Sequence, residues 1–338
     1  MQTSAVNEYR YWKVLRAIGF TMLIFLAFIN IVGLLCAGLQ ILFRAAGTDP
    51  VTAEVGYQLF YAAGYLSAFM LPVIFLKKMI RKAGIIYIPM KVALKITPWL
   101  PLILFAGISV ILATAYLNAS MVSIFSFFDF SKLFPESTSG SSPWYSVILT
   151  FLVICLVPAV CEEFLFRGAI LTNLLPFGRS NAILISALLF GLMHQNFAQF
   201  FYAFCAGIVL GLVYERTGSI WSCMILHMTN NFFSTFESEF ANVFGSRFSP
   251  VALVVLEVAV FAIGLISAVV LIVRFAPRKQ TFREGIFGKS IPADDAYSEC
   301  FLSAKRRIKR FFNAPMIIFL VLAVVEAVFV LVLLPLLS

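Results

Sequence analysis

The chain predicts an all-α fold, a polytopic bundle of about eight or nine transmembrane helices. Three observations carry that reading. The 338 residues are 62% hydrophobic and 12% charged, with a mean hydropathy of +0.98. A typical soluble domain is about 45–50% apolar and about 25% charged. Apolar runs of spanning length recur from one end to the other, and the Lys and Arg residues collect between them on alternate sides. The net charge of +9 is therefore a matter of topology, and soluble-enzyme and nucleic-acid-binding readings are excluded.

At roughly 20 residues per span, nine runs qualify: 17–43, 57–76, 98–118, 146–174, 181–195, 197–214, 218–237, 250–274 and 314–337. The first is too long for a signal-peptide core and lacks a cleavage site at the right distance, so it reads as a retained span. The fifth and sixth are short and nearly contiguous, which leaves the count at eight or nine. With the N-terminus inside, 21 of the 25 Lys and Arg residues fall on the inner side and three on the outer. The positive-inside rule then places the N-terminus in the cytoplasm and the C-terminus outside. Six cysteines are scattered singly, five of them in apolar segments, and read as small hydrophobes rather than disulfides or metal ligands.

Two connections are long. Residues 119–145 face outward with several aromatics; 275–313 face inward and end in SAKRRIKRFF, a basic-aromatic stretch suited to anchoring on anionic lipid. The chain divides into N-terminal spans (1–145), a helical core (146–237) and C-terminal spans with their basic loop (238–338). GIVLG (207–211) offers a small-xxx-small face, for packing inside the monomer or for a dimer.

A charge at mid-membrane costs about 2.5–3.5 kcal/mol on insertion scales, so each one calls for a reason. CEEFLFRGAI (161–170) holds three. Glu163 and Arg167 are four apart with the glutamate first, the favourable order for an ion pair on one helix face. Glu162 is turned about 100° away, with Phe166 at its own i+4 position, and reads as a lone carboxylate. The only two histidines lie in apolar runs: His194 shares a helix face with Phe190, and His227 with Asn231. Counted from the inner ends of their helices, Glu162, His194, His227 and Asn231 fall at similar depth, roughly 13–20 Å, so three helices can converge on one site. Glu257 and Glu326 are further intramembrane carboxylates with no partner evident in sequence.

A carboxylate in low dielectric suits a general base. Neutral histidines orient water or a carbonyl, and an amide donates to an oxyanion. Together they point to water attacking a peptide carbonyl inside the membrane. The same Glu162, His194 and His227 are also a donor set for a divalent metal such as zinc, although no HExxH motif specifies one. A transporter or receptor that relays protons or binds a ligand through buried Glu and His groups is the rival from another class.

EEFLFR (162–167), FGLMH (190–194) and HMTNN (227–231) resemble, in order, type and spacing, the EExxxR, FxxxH and HxxxN motifs of the CPBP family, the type II CAAX prenyl proteases and their bacterial Abi-type relatives. The resemblance spans about 146–237. It implies an intramembrane glutamic endopeptidase without a resident cofactor, acting on a membrane-associated peptide or protein, in which Glu162 activates water with His194 assisting. It further implies that His227 and Asn231 hold the oxyanion, that Glu163, Arg167 and Phe190 support the site, and that the setting is a bacterial cell membrane. A span beyond the usual eight or so, and the long loop before it, depart from the pattern and speak against a eukaryotic-style substrate. An inactive relative serving as a scaffold is a third reading, though no motif residue is missing.

Overall fold

The structure is a computed structural model that describes residues 2–92, 98–125, 144–244, 250–275 and 303–329. Most of the loops 119–145 and 275–313, and the end of the last predicted span, lie outside these residues. Helix α1 is Gln2–Ala45, α2 is Pro50–Lys82 and α3 is Leu100–Phe125. A continuous helical run over 144–177 forms α4, followed by α5 (Arg179–Leu192), α6 (Phe197–Thr217) and α7 (Ile220–Phe244). Then come α8 (Pro250–Phe275), the short α9 (Ala304–Phe311) and α10 (Ala314–Val328). Among the described residues there is no strand, so the all-α bundle holds.

Among the described residues six helices are long and apolar enough to cross a membrane, or seven if α9 and α10, bent by 71°, form one broken span, against eight or nine apolar runs in the sequence. The two expected spans that fall short are those that build the site. At 14 residues α5 is only about 21 Å long, against a hydrocarbon core of about 30 Å. The 25 residues of α7 would suffice, but His227, Thr229, Asn230, Asn231 and Ser234 dilute its apolar character.

Helix α4 is the hub. From Leu165 to Leu174 every residue is buried, as expected of a helix apolar all round. It contacts α2, α5, α6 and α7. Around this centre α1 packs on α2 and α10, and α3 on α6 and α8. The peripheral α8 is the reverse case, with 11% of its most apolar window buried, as suits a lipid-facing helix.

Two π-helical stretches, Phe151–Leu156 and Phe164–Leu171, bracket the glutamates of α4. Pro158 has no N–H and cannot donate to the Ile154 carbonyl four residues back. The turn before it opens, so that the Val157 N–H reaches Leu152 O, five back. In the second stretch the Thr172 N–H bonds Arg167 O, and the Thr172 hydroxyl donates to the same carbonyl at 2.8 Å. Single-turn π segments often mark functional sites.

The small-residue face resolves to packing within the monomer. A Cβ on Gly207 would lie 2.9 Å from Ala187 Cα, and one on Gly211 3.1 Å from Ile183. Glycine thus lets α6 approach α5 closely. The five described cysteines are unpaired.

Candidate active site

All seven residues singled out in the sequence meet at the centre of the bundle. The expected Glu163–Arg167 pair is present at 2.8 Å with both side chains fully buried. Arg167 spends its second terminal nitrogen on the Gly207 carbonyl at 3.1 Å, and its guanidinium lies 4.4 Å from the centre of the Phe190 ring. The close α5–α6 approach at Gly207 is what brings that carbonyl within reach. Phe190 packs edge-on against His194 (5.3 Å), His227 (5.7 Å) and Phe166 (5.2 Å), forming a wedge between the ion pair and both imidazoles.

Both histidines have one ring nitrogen committed. His227 Nδ1 donates to Glu163 Oε1 at 2.9 Å, and His194 Nδ1 donates to the Phe190 carbonyl at 2.9 Å. Carboxylate and carbonyl oxygens only accept, so Nδ1 carries a proton in each ring, and in the neutral imidazole Nε2 presents a lone pair. His194 stands where α5 ends. The next residue, Gln195, has φ 51°, the left-handed conformation that closes a helix C-terminus and is usually taken by glycine.

Glu162 is not the lone carboxylate expected. Its Oε1 accepts a 2.5 Å hydrogen bond from the Tyr65 hydroxyl on α2, while Oε2 is buried without a hydrogen-bond partner. That oxygen lies 3.8 Å from His227 Nε2. With the ring neutral, two acceptor atoms face each other there. The cation of Arg167 is spent on Glu163, so the charge on Glu162 is supported by a neutral donor, an arrangement costly to keep for packing alone.

His227 also lines a cavity of about 40 Å³, together with Phe190, His194, Tyr202, Asn230 and Asn231 among others. That is room enough for water in a polar setting. Asn231 is held by a relay: the Tyr202 hydroxyl donates to Asn230 Oδ1, Asn230 Nδ2 donates to Asn231 Oδ1 at 3.2 Å, and Asn231 Nδ2 donates to Ile154 O at 3.2 Å. The acceptor at the end is the carbonyl that Pro158 cannot serve. One amide hydrogen of Asn231 is engaged in this way, and the other has no acceptor among the described residues.

This is the arrangement that the three motifs anticipate. Residues 143–233 match the family model of the type II CAAX prenyl endopeptidase Rce1-like proteins. The Rce1-like segment covers α4 to the middle of α7, and so holds every site residue named above except Tyr65. It supports a protease-type function for an integral membrane protein. No curated protein and no solved structure matches the chain.

Tyr65, Tyr202 and Asn230 went unremarked in the sequence. Tyr57, Tyr61 and Tyr65 recur every four residues along α2 and stack in the fold at 6.4 and 5.6 Å. That spacing in an apolar span was the available signal for Tyr65. The relay through Tyr202 and Asn230 joins α6 to α7 and leaves no mark in either helix alone. Glu257 and Glu326, without partners in sequence, have them in space: Tyr116 donates to Glu257, and Asn30 to Glu326 at 2.9 Å.

Among the described residues no three His, Cys, Asp or Glu side chains are gathered so as to hold a metal ion.

Proposed function

We propose that the protein is an intramembrane glutamic endopeptidase in which Glu162 activates water for attack on a peptide bond. The observation that carries this reading is the pair Glu162 Oε2 and His227 Nε2, 3.8 Å apart, with His227 on the wall of a water-sized cavity. A water placed between them donates one hydrogen to each and is held with its lone pairs turned outward. Glu162 takes the proton as the water oxygen bonds to the carbonyl carbon, and returns it to the leaving nitrogen. Tyr65 holds Oε1, so Oε2 is the oxygen that works. His194, fixed by the Phe190 carbonyl, lines the same cavity and is placed to assist. The unengaged amide hydrogen of Asn231 is the donor for the developing oxyanion, a contribution often worth 10²–10³ in rate.

Glu163 and Arg167 form the frame: they neutralise each other and fix the His227 tautomer. The substrate class is a membrane-associated peptide or protein, as the match to CAAX endopeptidases suggests, and prenylated C-terminal peptides are the first to try. The Lys and Arg asymmetry supports a cytoplasmic N-terminus. The transporter reading drew on Glu257 and Glu326, and each of these is hydrogen-bonded to a neighbouring helix.

The test is cleavage of quenched fluorescent peptides, a prenylated CAAX peptide among them, by detergent-purified protein. Wild type and Glu162→Gln are assayed with and without a chelator. Cleavage lost in the variant and retained with chelator is expected. Cleavage abolished by the chelator moves the chemistry to a metal, and equal rates in both proteins remove Glu162 from it.

A further inference from the structure

We propose that α9 is an interfacial helix that binds the anionic headgroups of the leaflet on the N-terminal side of the bundle. It reads AKRRIKRF and is held at both ends. The Ser303 side chain caps its start by accepting from the Arg306 N–H at 3.4 Å. At the other end Asn313 forms the elbow into α10: its Nδ2 donates to the Arg310 and Phe311 carbonyls at 3.2 Å, and its Oδ1 accepts from the Met316 N–H at 3.3 Å. The elbow turns the chain by 71°. With α10 along the membrane normal, α9 lies close to the membrane plane.

The faces of α9 sort as an in-plane helix requires. Phe311 is buried against the bundle. Ile308 and Phe312, four apart, are 60% and 53% exposed and form an apolar foot on the next face round. Lys305 and Lys309, also four apart, are exposed beyond that foot. Arg306 and Arg310 both pair with Glu8 on α1, at 3.4 and 2.9 Å. These pairs pin α9 to the bundle, while no ion pair engages Lys305 or Lys309 among the described residues.

A second observation sets the level. Within just over two turns along α1 from Glu8 are Tyr9, Trp12, Lys13 and Arg16. Tyr9 and Trp12 stack at 6.0 Å, Lys13 lies over the Tyr9 ring at 4.5 Å, and Arg16 over the Trp12 ring at 5.4 Å. Aromatic rings interleaved with cations are the signature of the membrane–water interface. Glu8 therefore holds α9 at headgroup height, where the apolar foot meets acyl chains and two unpaired ammonium groups meet phosphates. Charge complementarity selects anionic over zwitterionic lipid, at about fivefold per lysine.

The test counts lipids kept by the full-length protein in native mass spectrometry after exposure to phosphatidylglycerol or phosphatidylcholine. Wild type should retain more phosphatidylglycerol, and Lys305→Gln/Lys309→Gln should fall roughly 25-fold in apparent affinity, to the phosphatidylcholine level. Glycerol phosphate in solution should not displace the lipid. A wild-type measurement guards against a variant that misfolds, because retention must weaken between 0.05 and 0.5 M salt. Equal retention by variant and wild type overturns the assignment. So do equal retention of the two lipids, displacement by glycerol phosphate, or indifference to salt. Equal retention of the two lipids would leave the lysines to an acidic protein partner.

Discussion

The hub helix α4 and the peripheral helices α8 and α10 each carry carboxylates at depths where charge is costly, and they treat them differently. Glu257 and Glu326 sit on lipid-facing helices, each with one hydrogen bond to a neighbouring helix, from Tyr116 and Asn30. Glu162 and Glu163 lie side by side in the core, and four helices converge on them. Glu163 is tied to Arg167 and His227 through one oxygen; Glu162 is tied to Tyr65 through one oxygen and faces a histidine lone pair with the other. Glu326 also has an unbonded oxygen. Both histidines of the chain, however, lie at the core site. An isolated acceptor in the membrane is an incomplete contact, whereas Glu162 Oε2 facing a histidine that itself lines a cavity leaves a place for a water.

The largest effect expected from this contrast is structural. Arg167→Met removes the guanidinium at the centre and leaves Glu163 buried with His227 Nδ1 alone for a partner. Breaking such a pair costs about 3–5 kcal/mol, much of the 5–15 kcal/mol that holds a typical fold. A melting temperature within a few degrees of wild type would show that the pair is dispensable and that α4 is not the hub its packing indicates.

Glu162→Gln should do the opposite. It keeps the shape and the Tyr65 contact, so the melt should hardly move, while cleavage should fall by about 10²–10⁴, the usual loss for a general base. A variant that unfolds but retains its turnover per folded molecule would make Glu162 a second structural carboxylate and erase the distinction between the neighbours.

How far the sequence revealed this follows from which contacts lie within one helix. The Glu163–Arg167 pair, the Phe190–His194 face and the His227–Asn231 face are i,i+4 relations, and a 3.6-residue period finds them. Convergence was legible from depth alone, because helices that cross one slab bring residues at equal depth to one level. Tyr65 was not legible as a partner of Glu162: no periodicity connects residues 97 positions apart, and which face of α2 meets α4 is decided by packing. The π turns escaped for a related reason. Pro158 announces a lost bond, but the Asn231 amide that serves the Ile154 carbonyl comes from another helix. The two runs whose helices are shortest or most polar are those of the site, since α5 ends just before His194 and α7 carries His227, Asn230 and Asn231.

Tyr65→Phe tests the contact that sequence missed. It deletes one hydroxyl and no ring, so the stack with Tyr61 and Phe69 should persist. A hydrogen bond to a charged group contributes about 1.5–3 kcal/mol. The turnover number should therefore drop by at least about tenfold, with KM little changed. A change in KM alone would make Tyr65 a substrate contact rather than the residue that orients Glu162.

The smallest effect belongs to the periphery. Asn30 donates to Glu326 and also to the Leu26 carbonyl of its own helix, at 2.9 Å each, so losing the carboxylate leaves the amide with a partner. Interhelical hydrogen bonds in membranes average only about 0.6 kcal/mol in double-mutant cycles, because the alternatives also find partners. The cycle built from Asn30→Leu and Glu326→Leu should return a coupling of that size, with peptide cleavage at the wild-type rate in all three variants. A coupling of several kcal/mol would put the α1–α10 contact on a par with the core pair. Lost cleavage in Glu326→Leu would go further, because it would bring a distant carboxylate into the chemistry and revive proton relay through the bundle.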